Sequence, residues 1–147
     1  MDETLLYPLF KDGDLEGVGG EKLFISYLNL IEGWKTKAKN LHWSAPKKNI
    51  HVYLDAFLDE ISEFQDAIAE GFMGILGKMQ PNAIKAVPCD CLNAIDLINE
   101  VKEGTLSFYE NLPQEPIYKG ICGETEAFIQ EINKYKYLFS LCDIDRY

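Results

Sequence analysis

Between Asn49 and Leu76 the chain reads NIHVYLDAFLDEISEFQDAIAEGFMGIL, and Leu54, Phe57, Leu58, Ile61, Phe64, Ile68, Phe72 and Ile75 recur in it at three- and four-residue steps. That period is helical, so these side chains share one face of a single long helix. A helix with so broad an apolar face must bury it against other elements.

The rest of the chain supplies matching helices. From Glu21, residues Leu23, Tyr27, Leu30, Ile31, Trp34, Ala38 and Leu41 repeat the spacing up to His42-Trp43. Lys35, Lys37 and Lys39 occupy its later turns, where positive charge complements the helix dipole. Pro46 disfavours helical geometry at Ala45 and separates the two helices, with Asn49 the expected N-cap of the second. A connection from Gly77 to Asp90, containing Pro81 and Pro88, is long enough to cross one end of a bundle. A third helix is expected from about Asp90 to Asn111, with Leu92, Ile95, Ile98, Val101, Phe108 and Leu112 inward and Gly104 as a weak point. A fourth, from about Gly123 to Asp143, presents Phe128, Ile132, Tyr135, Leu138, Phe139 and Cys142.

With no strand pattern, the expected fold is all-α, an antiparallel four-helix bundle over residues 21–147. Residues 1–20, acidic and carrying Gly13, Gly17, Gly19 and Gly20, are expected to form an N-terminal arm. Trp34, Trp43 and the phenylalanines are expected in the core.

Charge narrows the partners. Against 14 basic residues stand 24 acidic ones, a net charge of −10, which repels a phosphate backbone, so no nucleic-acid partner is expected. The start, MDETLLYPLFKDGDLEG, has neither a basic n-region nor a long apolar run, and no window approaches the ~18 apolar residues of a membrane span. A cytoplasmic protein without a membrane partner is the expectation. Cys89, Cys91, Cys122 and Cys142 form no CxxC pair and have no histidine close by, so free thiols are expected rather than a zinc site, with Cys89-Asp90-Cys91 a redox or metal alternative.

The second helix also carries a polar stripe, about a third of a turn from its apolar one. His51 and Asp55 are four residues apart, as are Asp66 and Glu70, so each pair stands on one face and has the spacing to chelate a cation. The pairs lie ~16 Å apart along the axis, too far for one ion. If two copies of this helix pack antiparallel about a two-fold axis near Glu60 and Ile61, His51 and Asp55 of one chain face Asp66 and Glu70 of the other. His42 lies at the same end as His51. Imidazole with carboxylates suits iron, manganese or zinc better than calcium. Asp59, Glu60 and Glu63 read as a solvated face, and each histidine alone reads more readily as a helix cap or packing residue than as a ligand.

His42-Trp43, then His51-x-x-x-Asp55, then Asp66-Ala67-Ile68-Ala69-Glu70 with a glycine after about one more turn, resembles the pattern of the Dps family, the mini-ferritins of the ferritin-like superfamily. The match covers about residues 35 to 80. The resemblance implies a ferritin-like bundle and a ferroxidase and iron store, with His42, His51 and Asp55 as ligands from one subunit and Asp66 and Glu70 from its two-fold mate. It further implies oxidation of Fe²⁺ by H₂O₂ or O₂ and storage of the ferric product inside a homo-oligomeric shell, a dodecamer. The chain departs from the family in a His42–His51 segment about three residues shorter, in an acidic arm where some members carry a basic DNA-binding tail, and in the stretch from Gly77 to Cys91. The competing expectation is a ferritin-like structural or interaction protein, of a virus or mobile element for example, with a silent metal site. A di-iron site inside the bundle would use Glu-x-x-His motifs, and the chain has none.

Overall fold

A computed structural model of the chain describes residues 20–142; the expected arm, apart from Gly20, and the last five residues lie outside the described segment. Among the described residues four helices build an all-α bundle: α1 (Glu21–Trp43), α2 (Lys48–Leu76), α3 (Ala94–Glu110) and α4 (Lys119–Ser140), with a 3₁₀ turn at Pro116–Tyr118 before α4. Helix α1 packs on α2 and α3, and α4 packs on the same two. None of the described helices is long and apolar enough to cross a membrane.

Named contacts fix the senses of the helices. Phe24 stacks on Phe72 near the start of α1 and the end of α2, while His42 meets His51 at the opposite ends, so α1 and α2 run oppositely. Tyr27 bonds to Thr105 and Trp34 to Glu100, so α3 also opposes α1. Phe64 stacks on Phe128 and Phe57 meets Tyr135 with the rings tilted, which sets α4 against α2. The connection from α2 to α3 must therefore return along the bundle, and it does so over α1: the Val87 N–H donates to the Asn29 carbonyl at 3.0 Å and the Lys85 N–H to Asn29 Oδ1 at 2.8 Å.

The apolar stripes of all four helices meet in one core. Leu23, Tyr27, Ile31, Trp34, Leu54, Phe57, Ile61, Ile68, Phe72, Ile98, Val101, Phe108, Ile132 and Phe139 are all essentially inaccessible to water. Burial of the Tyr27 ring raises its hydroxyl pKa far above the ordinary value, and the hydroxyl shares a 2.7 Å hydrogen bond with Thr105 that satisfies it there. On the α1–α2 seam the buried Gln65 accepts from Lys35 at 2.8 Å and donates to Glu32 at 2.6 Å, so this polar side chain is also satisfied.

Several expectations need correction. Helix α3 begins at Ala94 instead of Asp90, because the Asn93 side chain accepts from the Asp96 N–H and caps it. Leu92 therefore precedes the helix and is 82% exposed, outside the core. Helix α4 begins at Lys119, four residues before Gly123, because the 3₁₀ turn at Pro116 leads directly into it. Helix α2 begins at Lys48, so Asn49 lies within its first turn and is not the cap. Trp43 is 68% exposed, with the Lys39 ammonium 5.7 Å from its ring centroid. Gly104 is a point of close packing and not a weak point: a Cβ there would lie 2.7 Å from the Trp34 ring.

Candidate metal centre

The end of α1 and the start of α2 are joined by only Ser44 to Lys47, which brings His42 and His51 together. Their rings stack, with centroids 3.7 Å apart and planes inclined by 20°. His42 Nδ1 lies 2.6 Å from the His51 carbonyl oxygen, and His51 Nδ1 lies 2.8 Å from the His42 carbonyl oxygen. A carbonyl oxygen only accepts, so both Nδ1 atoms are the protonated donors. In the neutral rings this leaves each Nε2 with its lone pair, the form in which imidazole binds a metal. The same two bonds satisfy a carbonyl in the last turn of α1 and clasp the helices together, so His51 is also a C-terminal cap.

Asp55 stands one turn beyond His51 and is half-exposed, with Lys39 Nζ 3.4 Å from Oδ1. Asp66 and Glu70 lie three turns farther along α2 and are exposed. Helix α2 contacts α1 and α4, and these two carboxylates stand clear of both contacts. One chain thus brings His42 and His51 together, keeps Asp55 at the same end without drawing the three into a group of donors within 4.8 Å, and leaves Asp66 and Glu70 apart, at the separation that helical rise dictates.

Between them on α2, Glu60 and Glu63 share an acidic recess of about 190 Å³ with Glu124 and Glu131 of α4. Glu60 is held above the usual carboxylate range, first by partial burial and then by the charges of Glu131, Glu63 and Asp59.

A second gathering of donors was not legible as such in the sequence. Cys89, Cys91 and Glu100 bring their ligand atoms within 4.8 Å of one another, the one such group of three among the described residues. The Cys-x-Cys spacing marked the thiols; Glu100, on the second turn of α3, carried no signal joining it to them. All four cysteines are free thiols.

No protein-family profile, curated protein or solved structure matches the chain.

Proposed function

We propose that the chain is a Dps-like ferroxidase and iron store, with Fe²⁺ as substrate and a site shared across a two-fold axis between antiparallel copies of α2. The reading places the protein in a reducing cytoplasm as a homo-oligomer, a dodecameric shell. What carries it is the reciprocal histidine clasp, which leaves the Nε2 lone pair of each ring for a metal at the end of α2 that also carries Asp55. The open face of α2 supplies the remainder: with the axis near Glu60 and Ile61, the partner subunit's Asp66 and Glu70 come opposite Asp55 and His51. Asp59 then meets the partner subunit's Ser62, a pair without like-charge repulsion.

In this mechanism imidazole and carboxylate donors bind two Fe²⁺ ions. Each gives one electron to a single H₂O₂, whose O–O bond breaks to leave two hydroxides. The hard carboxylate oxygens favour the Fe³⁺ that forms. A chain charge of −10 draws Fe²⁺ toward the assembly.

Two observations favour the alternative of a structural or interaction protein with a silent site. The histidines already serve as a clasp, and Lys39 already pairs with Asp55. Solution mass and iron oxidation separate the two readings. Under the ferroxidase reading the wild-type protein runs as a dimer or a multiple of dimers, and Fe²⁺ with peroxide under anaerobic conditions develops a ferric absorbance. His51→Ala should slow that development about 10- to 100-fold. A monomer at micromolar concentration, or equal rates in the two proteins, contradicts the ferroxidase.

Lys39 gives a finer test. Its ammonium opposes a cation at Asp55, and because the pair is about half-exposed the effect is modest. Lys39→Met is expected to lower the Fe²⁺ concentration for half-maximal rate about two- to five-fold. A rise in that concentration would mean that Lys39 holds Asp55 in place for the metal.

A further inference from the structure

We propose that Cys89, Cys91 and Glu100 form a binding site for a divalent d¹⁰ cation, Zn²⁺, with two thiolates and one carboxylate as ligands and a fourth position open toward solvent. The site shares no residue with the histidine clasp and does not rest on the iron reading.

Its geometry is prepared by residues that are not themselves ligands. Trp34, buried in the core, donates from Nε1 to Glu100 Oε2 at 2.8 Å, which fixes the carboxylate and turns its other oxygen to the thiols. Cys91 Sγ then lies 3.7 Å from Glu100 Oε1. Metal–sulfur and metal–oxygen bonds of ordinary length in a tetrahedral zinc site put neighbouring donors about 3.5–3.8 Å apart. An outer hydrogen bond that orients a ligating carboxylate is the usual support of such a site.

The connection from α2 to α3 delivers the thiols, anchored on α1 by the two hydrogen bonds to Asn29. Cys89 is buried yet lines a recess of about 310 Å³ with Gly33, Thr36 and Val87, which gives the cation a way in and a water the fourth position.

Binding requires both thiols to lose their protons, which leaves two thiolates and one carboxylate as ligands of the cation. Two thiolates select a borderline or soft ion over Mg²⁺ or Ca²⁺, and the carboxylate favours Zn²⁺ over Cu⁺. A Cys89–Cys91 disulfide would use the same sulfurs but give Glu100 no role.

The test uses the full chain, reduced and freed of metal. In the His51→Ala chain, where the histidine site is broken, Zn²⁺ should bind one per chain with release of about two protons, more tightly as pH rises. It should also protect Cys89 and Cys91, but not Cys122 or Cys142, from alkylation by iodoacetamide; this readout needs only wild-type protein. Co²⁺ in place of Zn²⁺ should give thiolate-to-metal charge transfer and the intense visible bands of tetrahedral cobalt. Those bands should persist in His51→Ala, vanish in Cys91→Ser, and need about tenfold more Co²⁺ in Glu100→Gln. Zn²⁺ that leaves the alkylation of Cys89 and Cys91 unchanged, or cobalt spectra without a thiolate band, overturns the site. So does a chain whose two thiols join in a disulfide under mild peroxide while the reduced form takes up no Zn²⁺.

Discussion

Gly33→Ala lowers the melting temperature, where alanine for glycine inside a helix ordinarily raises it. Within α1 the substitution should gain about 0.5–1 kcal/mol from the restricted unfolded chain. The added Cβ, however, would overlap the Val87 carbonyl oxygen and lie 2.9 Å from its carbon. These are backbone atoms, held by the Val87–Asn29 hydrogen bond, and no side-chain rotation relieves the overlap. Either α1 moves away from α3, where Trp34 is packed against Gly104, or the connection lifts off and strands the Val87 N–H. We expect a net loss of about 2–4 kcal/mol, or about 5–15 °C for a chain of this length. Gly74→Ala is the control: it sits in α2 with nothing within 4 Å of the new Cβ and should stabilise. Thermal unfolding followed by circular dichroism measures both; equal stabilisation by the two variants would mean that the connection does not rest on α1. A lifted connection also withdraws Cys89 and Cys91 from Glu100, so the variant should lose the Zn²⁺ uptake proposed for that group.

This close approach marks the limit of what the sequence discloses. Stripes such as Leu54–Phe57–Ile61–Ile68 carry their period in the chain itself, so the helices and most of the core follow directly. The misplaced residues sit where local chemistry competes with that period. Leu92 fits the apolar spacing of α3, but the Asn93 cap starts the helix after it. Trp43 has the size of a core residue, yet it ends α1 where none of the described helices covers it. Gly104 reads as a helix weakener and Gly33 carries no signal, because the reason for each lies on another element, the Trp34 ring and the Val87 carbonyl. The candidate sites divide the same way. Spacing put His51 and Asp55 one turn apart and brought His42 to the same end, but the exchanged Nδ1 bonds depend on the short Ser44–Lys47 connection and could not be read from spacing. Glu100 joins the cysteines only because α3 starts at Ala94 and the connection doubles back over α1.

The largest expected effect belongs to a mixture of two inactive proteins. If each iron site takes His51 from one chain and Asp66 from its mate, His51→Ala and Asp66→Ala homodimers each carry two broken sites and oxidise Fe²⁺ slowly. A dimer of one chain of each kind differs. One of its sites combines the His51→Ala chain with the partner subunit's altered position 66 and is doubly broken. The other combines intact His51 with intact Asp66 and is whole. Random pairing in cells that make both chains gives half mixed dimers with one working site in two, so the mixture should recover about a quarter of the wild-type rate. Mixed dimers purified through two different tags should recover about half. A site contained within one chain predicts no recovery at any mixing ratio, because every chain then carries a broken site. Asp59→Ala serves as the control: in the proposed dimer position 59 supplies no ligand, so an equal mixture with His51→Ala should give about half the wild-type rate whether or not the chains pair. Recovery of activity from two inactive parents would tie the exposed Asp66 and Glu70 of one chain to the histidine clasp of another. Its absence, in dimers shown by mass to be mixed, would leave the clasp as a helix cap and those carboxylates as solvated surface.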